Sequence, residues 1–156
     1  MRIQMSGVEH VSVAPEQAFA FVTDPNRVGR CMPDLDELQV SDSRHFVAVV
    51  KVGVGPVRGR LKIEAEMKTD DARLGDLDLT AKGSGMGSGM VLTSHMHIEP
   101  TGGGGAELQW SAETSVSGPL ASVGGRLLEG QAKKKTQAMF DAIRQALQAN
   151  GAPAGS

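Results

Sequence analysis

Val57-Arg58-Gly59-Arg60-Leu61-Lys62-Ile63-Glu64-Ala65-Glu66-Met67-Lys68 decides the fold. Val57, Gly59, Leu61, Ile63, Ala65 and Met67 alternate with six charged residues, so an extended chain here has one dry face and one wet face. The pattern returns in Ala106, Leu108, Trp110, Ala112, Thr114 and Val116 against Glu107, Gln109, Ser111, Glu113 and Ser115. Pro119 to Asn150 then reads as one long helix. An antiparallel sheet with a single apolar face needs one cover, and that helix is the candidate. A sandwich of this kind tends to hold an apolar cavity, so the question of function becomes what fills it.

Outward from this strand, Ile3 to Val13 is a first strand with Ile3, Met5, Val11 and Val13 on one face and Gly7 as a bulge or bend. Pro15 opens a short helix carrying Ala18, Phe19 and Val22 to about Thr23, and Asp24-Pro25 ends it. A second short helix runs from about Asn26 and stops before Pro33. Strands follow at Glu37–Ser41 and His45–Val54, and Gly53-Val54-Gly55-Pro56 turns the chain into the deciding strand. Thr69 to Arg73 is the next turn, and Asp76–Lys82 points Leu77, Leu79 and Ala81 inward. Gly83-Ser84-Gly85-Met86-Gly87-Ser88-Gly89-Met90 admits two readings. Continued parity would turn every glycine inward to line a pocket, or the stretch is a flexible hairpin. Met90, Leu92, Met96 and Ile98 form another inward face, and Gly102–Gly105 is a loop. The expected organisation is one domain over 1–150 with a disordered tail over 151–156.

In the last helix Leu120, Val123 and Leu127 lie on one stripe, and Leu128, Ala132, Met139, Ile143 and Leu147 on another. The chain therefore bends or breaks at Gly130, where the stripes change over, or its first turns are buried on more than one side. Gly124 and Gly125 leave space for a close neighbour, a short helix or a ligand chain.

Composition removes several classes of function. One cysteine, Cys31, allows no internal disulfide, and no apolar run approaches the roughly 20 residues that span a bilayer. With no secretory leader, the chain is expected in the cytoplasm, at most touching the inner face of the membrane. Net charge is −2, with no Tyr, one Trp and four Phe, so the stacking platforms of a single-stranded nucleic-acid binder are missing and nucleic acid is not an expected partner. Eight Met suit either ordinary core filling or an adaptable apolar site. His95, His97 and Glu99 share one strand face, but the solvated one, so no metal site is assigned. His10 and His45 carry no partner signal. Cys31 beside Met32 reads as a buried structural thiol. No catalytic constellation and no cofactor motif is present. The final helix carries five basic against two acidic residues, and Arg126, Lys133, Lys134 and Arg144 form a basic stripe for an acidic partner or anionic lipid, or a plain solvated face.

The order strand, two short helices, six strands and a long helix resembles the START-like or Bet v 1-like helix-grip superfamily. Within it the likeness is to the CoxG family, the G component of carbon monoxide dehydrogenase. It is carried by Ala14-Pro15, Phe21-Val22-Thr23-Asp24-Pro25, Cys31-Met32-Pro33, Lys51 through Val57, Gly83-Ser84-Gly85, Ser117-Gly118-Pro119-Leu120-Ala121 and Gly125-Arg126-Leu127-Leu128, across nearly the whole chain. The chain departs from the family pattern at Phe19, where Trp is frequent, at Asp34, where Gly is usual, and in ending at Ser156 without a longer tail. The resemblance implies an α+β helix-grip fold, a curved antiparallel seven-stranded sheet wrapped around the long C-terminal helix with two short helices after strand 1. It also implies a non-catalytic accessory protein of a molybdenum hydroxylase of the carbon monoxide dehydrogenase type, binding an apolar or amphipathic small molecule of lipid or quinone-like kind. A protein-interaction module with an incidental cavity and a polyketide cyclase or dehydratase-like enzyme are the alternatives. Strand parity and helical spacing nominate Phe21, Met32, Leu61, Ile63, Leu79, Met90, Leu92, Leu108, Trp110 and Leu127 as ligand-binding.

Overall fold

A computed structural model describes residues 1–69 and 75–151. The strands are Arg2–Val11 (β1), Leu35–Val40 (β2), His45–Val54 (β3), Val57–Thr69 (β4), Asp76–Gly85 (β5), Ser88–Pro100 (β6) and Ala106–Ser117 (β7). The helices are Pro15–Val22 (α1), Pro25–Gly29 (α2) and Gly125–Gly151 (α3). All seven strands form one curved antiparallel sheet in the order β1-β7-β6-β5-β4-β3-β2. Because β1 and β2 lie at opposite edges, α1 and α2 carry the chain across the full width of the sheet. Asp24 caps α2, its carboxylate accepting the N–H groups of Asn26 and Arg27. In β4, Leu61, Ile63, Ala65 and Met67 are buried while Lys62, Glu64 and Lys68 are exposed, as the alternation requires. The turn expected at Thr69–Arg73 lies outside the described residues beyond Thr69, as does the expected tail from 152 onward.

Gly7 is not a bulge. Pairing of β1 with β7 runs unbroken from Arg2 opposite Ser115 to Val11 opposite Ala106. A Cβ on Gly7 would lie 3.1 Å from the Trp110 indole, so the missing side chain makes room for that ring.

The glycine-rich stretch is an ordered hairpin. β5 continues to Gly85, and Met86 and Gly87, with φ of 58° and 72°, make the two-residue turn into β6. Parity therefore holds for Gly83 and fails after the turn, where Gly89 pairs with Ser84 on the outer face. Inward Gly83 opens no space, because a Cβ there would stand 3.1 Å from Met90 Cε and 3.2 Å from Leu61 Cδ2.

The long helix breaks earlier than expected. A 3-10 turn, Ala121–Val123, ends at Gly124 with φ of 105°, and α3 starts afresh there, Leu128 N–H donating to Gly124 O at 3.1 Å. Gly130 lies inside the uninterrupted α3. Leu120 is fixed separately, its N–H donating to Ser88 Oγ at 2.9 Å. The restart resets the helical phase, which explains the two stripes. Nothing lies within 4 Å of a Cβ placed on Gly124, Gly125 or Gly130, so no element packs against those glycines.

Candidate functional site: an apolar cavity under the long helix

Alternation makes β5, β6 and β7 present Leu79, Met90, Leu92, Met96 and Trp110 to α3, yet none of these is fully buried. Inward side chains that keep exposed surface face a void. The void is a cavity of about 440 Å³ between the sheet and α3, in the size range of small-molecule sites. The helix contributes Leu128, Ala132, Met139, Phe140 and Ile143, at the spacing of one helical face. Trp110 and Phe140 meet across it with ring centroids 5.3 Å apart and planes tilted by 33°.

Polar groups are few and unevenly placed. Ser94, Thr114 and Thr136 bring hydroxyls to the wall, and Thr136 donates to Ala132 O at 2.8 Å. Trp110 Nε1–H is buried without a partner among the described residues, an orphan donor in an apolar wall. Asp34 and Lys135 lie at the rim, joined by an ion pair. Lys51 and His95 also border the cavity, but parity turns the Lys51 side chain to the outer face with Arg60, and His95 bonds Asp78 there at 2.7 Å. The interior itself holds no titratable side chain among the described residues.

Of the ten nominated residues, Met32, Ile63, Leu79, Met90, Leu92 and Trp110 line the cavity together. Phe21, Leu61 and Leu108 do not; they are packed core, Phe21 with the Arg27 guanidinium 4.6 Å above its ring. Leu127 is 42% exposed and sits over the turn at Gly55, because the restart at Gly124 puts Leu128 on the inner face instead. Sequence reasoning does not nominate Asp34, Gln131 or Lys135, whose polar character hides rim positions, nor Phe140, which follows one residue after Met139 on the wheel.

The basic stripe divides. Arg144 is engaged, donating to Glu9 at 2.8 Å, Asp141 at 3.0 Å and His10 O at 3.1 Å, which ties α3 to β1. Arg126, Lys133 and Lys134 are exposed and form no ion pair among the described residues. On the outer face the protonated His97 ring donates from Nδ1 to Asp76 at 2.6 Å and from Nε2 to Glu99 at 3.1 Å. Asp76, then Glu99, holds the His97 imidazolium above its ordinary range. His45, without a partner signal in sequence, bonds Asp42 at 2.9 Å and Glu66 at 3.2 Å, and Asp42 raises its pKa. No group of three ligand-type side chains among the described residues is placed to hold a metal. Burial pushes the Cys31 thiol up, and its Sγ lies 3.6 Å from Arg27 O, the environment of a structural thiol. No described helix is long and apolar enough to cross a membrane.

A sequence model of one family, CoxG, the G component of carbon monoxide dehydrogenase, matches residues 7–148. The chain belongs to the CoxG family. The break at Gly124 and all of the cavity wall except Ile3 and Met5 lie inside the CoxG match. No curated protein matches the chain. Solved structures share the fold. A conserved protein from Geobacillus kaustophilus is similar at TM-score 0.85 and 18% identity, covering 94% of this chain and 96% of its own. A START superfamily protein from Mycobacterium smegmatis is similar at TM-score 0.73 and 12% identity, with 94% and 97% covered. The Zhui aromatase/cyclase from Streptomyces sp. R1128 is similar at TM-score 0.72 and 11% identity, with 100% and 99% covered. The CoxG chain thus has the START-like helix-grip fold.

Proposed function

We propose that the chain is a non-catalytic carrier of an apolar or amphipathic small molecule, a lipid or a quinone-like electron acceptor, serving a molybdenum hydroxylase of the carbon monoxide dehydrogenase type. The observation that carries this reading is the composition of the cavity wall, whose interior is apolar apart from the hydroxyls of Ser94, Thr114 and Thr136 and the Trp110 Nε1–H. An apolar wall gives affinity through burial, on the order of 25 cal/mol per Å² removed from water, and leaves acid–base chemistry without a group to perform it. The fold alone does not separate carrier from enzyme, since an aromatase/cyclase shares it. The separation rests on the interior, where Ser94, Thr114 and Thr136 are the polar side chains and none titrates near neutral pH. The partner enzyme and a cytoplasmic site of action rest on family membership, and a membrane would be touched only peripherally.

Native mass spectrometry of protein purified from its own host, followed by solvent extraction, tests the carrier directly. A bound apolar molecule is the expected result, with uptake of added quinones or fatty acids changing the fluorescence of Trp110. Protein that carries nothing and takes up neither class overturns the reading.

A further inference from the structure

The exposed residues of the cavity wall at the free end of β3 are Asp34, Lys51, Gly53 and Lys135, so the opening lies between that strand, the segment after α2, and α3. Pairing of β2 with β3 stops at Leu35 opposite Val50, which leaves β3 beyond Lys51, Val52–Val54, as a free strand edge at this opening. One ion pair crosses it: Lys135 Nζ donates to Asp34 Oδ2. The partners are 101 residues apart in sequence, and their side chains are 48% and 42% exposed.

Asp34 is held for this position. Its φ is 61°, a left-handed conformation that non-glycine residues adopt sparingly and Asp tolerates better than most. Its carbonyl accepts the Lys51 N–H at 3.0 Å, which pins its backbone to β3 where the free edge begins. Such a strained residue at a cavity rim points to function rather than packing. Lys135 belongs to the cavity wall by its stem while its ammonium reaches the rim, the way long basic side chains lie along apolar surface. Gln131, one turn earlier on the same face, also borders the cavity and makes no side-chain hydrogen bond among the described residues.

We propose that Lys135 is the head-group anchor of the cavity and that Asp34 occupies the place of a ligand's acidic head, so the site selects single-chain amphiphiles with an anionic head such as a carboxylate. This rests on the carrier reading and narrows it to the acidic lipid members of that class. Both partners are half exposed, and ion pairs at the water boundary are weak, so the pair opens at little cost. A neutral ligand that displaces Asp34 leaves the ammonium without its anion at the edge of an apolar wall. An anionic head restores the charge-assisted hydrogen bond with its tail in the cavity, and Gln131 supplies a second donor. A neutral quinone uses the interior and leaves the pair closed.

The test compares dodecanoate with dodecan-1-ol, equal tails with and without the charge, by Trp110 fluorescence titration on the full chain. Wild type is expected to prefer the acid by roughly tenfold. In Lys135→Met, which keeps the stem, that ratio falls to about one, and in Asp34→Asn, which removes the competing anion while tolerating the left-handed backbone, it rises severalfold. Thermal melts of each variant check that folding is intact. Equal binding of acid and alcohol by wild type, or a preference retained in Lys135→Met, overturns the anchor and leaves the carrier standing. Binding of neither probe overturns both.

Discussion

The two ends of the sheet–helix interface are built from the same kinds of residue and differ in whether they are filled. At one end Ile98, Ala106 and Leu108 meet α1 and the last turns of α3 around Leu147, and Leu108 retains no exposure. At the other end the same two strands, from Trp110 to Val116 and from Met90 to Met96, face the cavity. The change comes at one point on each element: Leu108 is packed and Trp110 is lining, Ile98 packed and Met96 lining, Leu147 packed and Ile143 lining. Alternation alone cannot produce such a difference, since both ends alternate equally well. It comes from α1, which fills the closed end with Ala18 and Phe21, whereas at the other end the segment around the 3-10 turn covers only the tip, where Leu120 packs with Ile3, Val54, Val116 and Leu128. One short helix thus separates a packed core from a cavity.

Truncation should cost most where the interface is filled. Leu108→Ala is expected to lose about 2–5 kcal/mol, the range for a leucine deleted from close-packed surroundings. Leu92→Ala, on the lining, should lose clearly less, because its neighbours on one side are already absent. Urea unfolding of both variants measures the gap. Equal losses would mean the open end is packed in solution, and the comparison would collapse.

Trp110 sits at the boundary and sharpens the same contrast. Trp110→Ala should cost less than the roughly 3–5 kcal/mol of an aromatic removed from a solid core, yet abolish uptake of apolar ligands by removing the widest part of the wall. Denaturant titration, read with ligand extraction followed by mass spectrometry, separates the two effects. A loss on the larger scale with ligand uptake intact would place Trp110 among the packed residues.

The outside of α3 offers a second contrast, between Arg144, committed to Glu9, and Lys133 and Lys134, which have no described ion pair. Charge reversal of Lys133 and Lys134 to Glu should weaken capture of a carbon monoxide dehydrogenase-type partner severalfold in low salt and little in about 0.5 M salt, where the Debye length is down to roughly 4 Å. Capture unchanged in low salt would remove this surface from partner docking.

Much of the fold is legible in the sequence because its determinants are local and periodic. Alternation in β4 and β7, Pro15 at the first turn of α1 and the break at Asp24-Pro25 each act within a few residues of themselves. The misreadings share a different origin. Gly7 reads as a bulge because the residue that needs its empty space, Trp110, is 103 positions away and adjacent only through the β1–β7 register. Leu127 falls inward on a helix wheel run from Pro119, which carries its phase through Gly124, where the real helix begins again. Phe21, Leu61 and Leu108 do point inward, but whether an inward residue meets packing or empty space depends on which other element covers it, and parity holds no information about that. The rim pair escapes a linear reading for the same reason: Asp34 and Lys135 acquire meaning only when β3 ends between them.

The smallest effect concerns the outer face, where Asp76, then Glu99, favours the charged form of His97 and raises its pKa, in contrast to the uncharged wall on the opposite side of the same strand. A histidine whose folded pKa is raised contributes stability fully present below its unfolded value, about 6.5, and lost as pH climbs through the folded value. Unfolding midpoints in urea should therefore decline modestly as pH rises through the raised His97 pKa. Asp76→Asn should flatten that decline and return the His97 ring resonance to an ordinary midpoint in an NMR titration. Salt should flatten it in part, by screening the half-exposed Glu99 more than the largely buried Asp76. A residual slope in Asp76→Asn would report His45, whose pKa Asp42 also raises, and Asp78→Asn, which touches His95 at 2.7 Å and not His97, should leave the His97 midpoint in place. A His97 midpoint already ordinary in the wild type would show that this face holds its charge no more firmly than any solvated strand.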